Sequence, residues 1–168
     1  MGKLAAMPAD ADPQKQAKFK AAMNLAISLA EKNPAPAAQA ADIAPHLMTD
    51  DLLAANYERV ALLAARMGVN LHQNAEADDL LKRCLDLAEA NARKAEEAYD
   101  GASPDDWGRL AGDFQGIGSP EVETFTFAAM ADPTLAETRA EQTSAAYFKP
   151  MFLLRVALGQ ELQKPWWK

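Results

Sequence analysis

Residues 50–99 read DDLLAANYERVALLAARMGVNLHQNAEADDLLKRCLDLAEANARKAEEAY, and this stretch decides the fold. Leu53, Tyr57 or Val60, Leu63 or Ala64, Met67 and Leu71 recur at alternating threes and fours. Further on, Leu81, Cys84 or Leu85, Ala88, Ala92, Ala95 and Tyr99 do the same. That spacing lines one face of an α-helix. Thr49 or Asp50 supplies an N-cap and Asp100-Gly101 a stop. The pattern predicts one helix over about 50–73 and a second over about 75–99, joined near His72-Gln73-Asn74 as an antiparallel hairpin. The joint is weakly marked, so one continuous helix of about 50 residues is the alternative, and a repeat sustained that far would make a coiled coil.

The rest of the chain agrees with a helical fold. Alanine fills roughly a fifth of the 168 positions, far more than valine and isoleucine together. Alanine has the best intrinsic helix propensity, whereas β-branched residues favour strands. An 18.1 kDa chain of this length is one domain with room for a core. The expected organisation is a flexible N-terminus over 1–12, a single helical domain over 13–163 and an aromatic C-terminal tail over 164–168, making an all-α bundle built on the hairpin with shorter flanking helices. With 49% apolar and 24% charged residues the chain is not disordered, and it has no apolar run long enough to span a bilayer. Its first residues lack the apolar core of a secretory signal. The one cysteine, Cys84, ties the chain to no oxidising compartment, so a cytoplasmic location is expected.

Proline and glycine punctuate the flanks. Asp12-Pro13, Ser103-Pro104, Ser119-Pro120 and Asp132-Pro133 read as helix starts: the cap side chain accepts an orphan amide and proline has none to satisfy. Asn33-Pro34 and Lys149-Pro150 read as helix ends or kinks. The first helix spans about 13–32, with Phe19, Met23, Ile27 and Ala30 on its core stripe. Residues 33–48 form a proline-bounded connector holding a short helix. Residues 107–119 hold four of the eight glycines and read as a short helix dissolving into a loop. Short helices follow over about 122–130, 133–148 and 150–163; Glu121 to Phe127 alternates enough for a strand, but has no evident partner.

No catalytic constellation emerges. Cys84 and His72 lie on neighbouring hairpin helices, yet Cys84 sits on an apolar face where a thiol behaves as a small hydrophobe. His46 and His72 have Ile43 and Val69 at minus three, so the Glu-x-x-His pattern of a di-iron bundle is missing, and zinc spacings are absent as well. The glycine run lacks the Gly-Lys-Ser/Thr of a phosphate loop. The pairs Asp50-Asp51, Asp78-Asp79, Glu96-Glu97 and Asp105-Asp106 read as solvated caps and faces. The expectation is a non-enzyme with no catalytic residues, cofactor or metal.

Charge is more informative. Residues 74–106 carry ten acids and four bases, whereas 149–168 carry four bases and one acid, and 1–32 five bases and three acids. Basic flanks around an acidic middle suggest self-complementarity within the monomer or between copies. A net charge of −7 and a pI near 4.8 have the wrong sign for nucleic acid. Pro165-Trp166-Trp167-Lys168 places two adjacent tryptophans outside any predicted helix, and tryptophan is enriched at interface hot spots. The function expected is therefore that of a helical interaction protein, an oligomeric structural, accessory or adaptor subunit. It would bind a second copy or a protein partner through the hairpin and through Trp107, Phe114, Trp166 and Trp167. The Ala-rich amphipathic helices, most visibly from Leu85 to Gln115, are similar in general character to those of phasins, which coat polyester granules; that resemblance implies coating of a peripheral hydrophobic surface. A third expectation is a small-ligand pocket lined by Phe125, Phe127, Tyr147, Phe148 and Phe152.

Overall fold

The computed structural model describes residues 13–29, 39, 49–71, 74–101, 103 and 119–163. Among them all regular structure is helical, in seven helices: α1 (Pro13–Leu29), α2 (Asp50–Ala54), α3 (Tyr57–Leu71), α4 (Asn74–Asp100), α5 (Pro120–Ala131), α6 (Pro133–Gln142) and α7 (Lys149–Gln163). The strand considered for Glu121 to Phe127 is helical. No described helix is long and apolar enough to cross a membrane. Contacts divide the chain into two compact units, Met1–Cys84 and Leu85–Lys168, and the boundary falls within α4, inside the span read as one helical domain.

In the first unit α1 and α2 both pack on α3. Phe19 and Met23 of α1 are fully buried, as are Val60, Leu63 and Ala64 of α3, and Arg59 of α3 donates to Asn24 of α1 at 2.6 Å. Thr49 caps α2, its Oγ1 accepting from the Leu52 amide at 3.4 Å. The first arm of the hairpin is broken where the sequence predicted one helix. Asn56 Nδ2 donates to the Leu52 carbonyl at 2.7 Å, the local side-chain bond by which asparagine competes with the helical ladder, and α3 restarts with the Val60 amide on the Asn56 carbonyl.

An exposed ion pair spans the turn-back. Arg83 Nη2 lies 3.2 Å from Asp50 Oδ1, 33 residues earlier. An uninterrupted helix would hold those residues about 50 Å apart at 1.5 Å per residue. The chain therefore turns back between Asp50 and Arg83, which excludes a single continuous helix over that stretch.

In the second unit α5, α6 and α7 pack on one another, α5 and α7 most closely. Asp132 ends α5 and caps α6, accepting the Leu135 amide at 2.9 Å, as the Asp-Pro pattern predicts. Ser119-Pro120 starts α5, but the Ser119 hydroxyl makes no cap bond: the Val122 amide it would take donates to the Ser119 carbonyl instead. Helix α6 stops at Gln142, short of the predicted 148, because Thr143 is extended and its hydroxyl accepts the Ala145 amide at 3.2 Å. Lys149-Pro150 does not end a helix. It forms the first turn of α7, where proline costs no hydrogen bond. On α4, Asp86 and Glu89 both bind Arg139 of α6, with Nε to Glu89 at 2.8 Å and Nη2 to Asp86 at 2.5 Å. These charge-assisted bonds hold the Arg139 guanidinium above its ordinary range, the bond to Glu89 contributing most.

Candidate functional site

Helix α7 is held along one side. Phe152 stacks on Phe125 of α5 with centroids 3.9 Å apart and planes 15° from parallel, and Phe148 leans on Phe152 at 5.7 Å. Phe125 and Phe152 are fully buried. Two turns along from Phe152, Gly159 meets α5 so closely that a β-carbon on it would clash with the Thr126 carbonyl and stand 2.7 Å from Ala129 Cβ. Arg155 Nη2 bonds Glu123 of α5 at 2.6 Å.

The start of α7 is fixed from α4. Glu96 Oε1 accepts the amides of Tyr147 and Phe148 at 2.6 and 3.1 Å, a carboxylate at a helix N-terminus where both the orphan amides and the macrodipole favour it. The Tyr147 hydroxyl donates to Asp100 at 3.3 Å, and its ring meets Tyr99 edge-on at 6.3 Å. The Asp100 carboxylate holds this phenol above its ordinary range, so Tyr147 stays protonated.

The opposite side of α7 is open. Leu154 is 62% exposed, Leu158 41% and Leu162 55%, and Tyr147, 53% exposed, continues the face past the start of the helix. Pro150 and Ala157 are exposed as well. Leucines at i, i+4 and i+8 form one stripe, while Phe152, Val156 and Gly159 form the buried one. A helix that is apolar on two faces, one locked into its own unit and one in solvent, presents an exposed apolar patch of the sort that marks interaction surfaces.

Of the aromatic residues singled out from the sequence, Phe125, Phe148 and Phe152 come together, with their rings packed on each other. Phe127 is partly buried on α5, and Tyr147 stands outside this group with Tyr99 and Asp100. Trp107, Phe114, Trp166 and Trp167 lie outside the described residues, as do His46, His72 and the Asp105-Asp106 pair. The leucine stripe was missed, although it was present in FLLRVALGQEL (152–162), which has more apolar positions than one helix face holds.

Cys84 is fully buried, and burial pushes its thiol up to about 12, against a smaller opposing pull from Arg83. A thiol held neutral is inert as a nucleophile. Among the described residues no three acidic, histidine or cysteine side chains gather as a metal site. The acidic pairs sit as helix caps and solvated faces: Asp50 and Asp51 in the first turn of α2, Asp78 and Asp79 exposed on α4, Glu96 on the α7 amides and Glu97 exposed.

Fold and face together define an all-helical bundle in which one helix carries an exposed stripe of leucines. Comparison with protein-family models, curated proteins and solved structures finds no match.

Proposed function

We propose that this chain is a non-enzymatic helical interaction protein, a structural or accessory subunit that assembles with further copies of itself through the outer face of α7. The observation that supports this reading is the stripe Leu154, Leu158 and Leu162, exposed to 62%, 41% and 55% on a helix whose inner face is fully used. Burying a leucine is worth about 1.5–3 kcal/mol, so leaving three in water on one ridge is a standing cost that assembly removes. Because the inner face is locked by Phe152, Gly159 and Arg155, the stripe is presented on a rigid helix rather than on a loop.

Light scattering across a concentration series tests this. The wild-type mass rises above 18.1 kDa with concentration, and Leu158→Glu, which places a charge in the middle of the stripe, returns it to the monomer value with unchanged helix content. A wild-type chain that remains monomeric at every concentration overturns the proposal.

A further inference from the structure

Among the described residues Tyr147 carries the most exposed aromatic ring, at 53%, and it does not stand alone. Tyr99, partly exposed on α4, meets it edge-on with centroids 6.3 Å apart and planes 74° from parallel. Two rings at that angle bound a corner, so a group placed in it lies on one ring's face while the other ring closes its side. The face is the negative part of an aromatic quadrupole, and a cation within about 6 Å of the centroid is attracted to it.

The carboxylates around the corner give it a sign. The Tyr147 hydroxyl donates to Asp100 Oδ1 at 3.3 Å, Glu96 Oε1 accepts the Tyr147 amide at 2.6 Å, and Glu97 is exposed on the same helix. Asp100 most strongly, and Glu96 with it, holds the Tyr147 phenol above its ordinary range, and every charge acting on that phenol pushes the same way. A phenol that donates to a carboxylate is polarised by it, which enriches the ring and strengthens its pull on a cation. Glu96 Oε1 is committed to two amides, whereas the Asp100 carboxylate keeps acceptor sites beyond the one the phenol uses.

The kind of cation follows from hydration and shape. A lysine ammonium is compact and strongly hydrated, so at a half-exposed ring it loses water for little return. A guanidinium is planar and weakly hydrated; it can lie flat on a ring while its edge N–H groups reach a carboxylate.

We infer that the corner formed by Tyr99, Tyr147 and Asp100 binds an arginine side chain of a protein partner, with the guanidinium stacked on Tyr147 and donating to Asp100. All three residues belong to the second unit, so one chain holds the whole site, and binding there does not require the assembly of copies proposed through α7.

Titration of the isotope-labelled full chain with N-acetyl-arginine amide, followed by NMR at low salt, tests this. The Tyr99 and Tyr147 resonances shift and saturate in the millimolar range, N-acetyl-lysine amide binds several-fold more weakly, and the neutral isostere N-acetyl-citrulline amide does not bind. Tyr147→Phe keeps the ring and keeps most of the affinity; Tyr147→Ala lowers it about tenfold. Asp100→Asn lowers it about fivefold at low salt and less at high salt, and Glu137→Gln, on the exposed side of α6, changes nothing. Equal affinity for the lysine and arginine amides means attraction of a point charge alone and overturns the inference. Shifts that never saturate, or that are as large at Glu137 and Glu141 as at the tyrosines, also overturn it. Retained binding in both Tyr147→Ala and Asp100→Asn places the cation elsewhere and does the same.

Discussion

Gly159 of α7 lies against the backbone of Thr126 in α5 with no room for a β-carbon: one built there clashes with the Thr126 carbonyl oxygen and comes within 2.7 Å of Ala129 Cβ. The obstacle is backbone, which cannot swing aside as a flexible side chain could. In an exposed helix, glycine to alanine gains up to about 1 kcal/mol from propensity. Here the sign reverses, and Gly159→Ala destabilises by about 1–3 kcal/mol through overpacking, read as a lower urea midpoint. A neutral or stabilising result would mean that α5 and α7 do not approach this closely.

The same crossing holds a polar group that does nothing for stability. Thr126 is 2% exposed, and its Oγ1 is buried with no hydrogen-bond partner, whereas Thr124, two residues earlier, donates to the Pro120 carbonyl at 2.7 Å. Desolvating an unpaired hydroxyl costs about 1–3 kcal/mol, and valine has nearly the same shape. Thr126→Val therefore stabilises by about 1 kcal/mol, while Thr124→Val, which removes a made bond, is neutral or destabilising by up to about 1 kcal/mol. Thermal melts of the two variants, run together, should shift in different directions.

Glu96 acts on α7 from another helix. Its carboxylate takes two amides at the start of α7, the work an N-cap residue usually does from within its own chain segment. Glu96→Ala costs about 1 kcal/mol by analogy with lost caps, and Glu96→Gln, which keeps an acceptor but not the charge, costs less. Amide exchange locates the effect: protection falls first over residues 147–152, and uniform loss across the chain would contradict a local cap.

Periodicity made the elements legible because each helix buries a stripe: Phe19 and Met23, Val60 and Met67, Leu81, Leu85, Ala88 and Ala92 are all on the faces the spacing predicts. Breaks were less legible, since they hang on single side-chain bonds to backbone. Asn56 interrupts the first arm through the Leu52 carbonyl, and Thr143 stops α6 early through the Ala145 amide; neither position carries a proline or glycine to announce it. Lys149-Pro150 reads as the end of one helix and Pro150 as the start of the next, and only the start is realised, because proline suits a first turn. The leucine stripe escaped for another reason. Spacing shows that residues share a face, not whether the fold covers it, and only the stack of Phe125 on Phe152 reveals that α7 turns its other face inward.

Burial of Cys84 gives stability a slope at alkaline pH. A free thiol in the unfolded chain titrates near pH 8.5, whereas the folded one is pushed up to about 12. The folded state thus keeps its proton after the unfolded state has lost it, so between those values the unfolded chain binds fewer protons and the free energy of unfolding falls with pH. This stabilisation is complete below about pH 8.5 and is lost as pH rises toward 12, at up to about 1.4 kcal/mol per pH unit. The measurement is a difference between two proteins, so that contributions other than that of Cys84 cancel. Urea unfolding of wild type and of Cys84→Ala at pH 8, 9 and 10 should show the wild type losing stability more steeply, with the gap between the two changing by about 2 kcal/mol from pH 8 to 10. Native Cys84 should also stay unreactive to a thiol reagent at pH 8 until the chain unfolds. Parallel pH curves for the two proteins, or rapid labelling of the folded chain, would place the sulfur in contact with water rather than in the core.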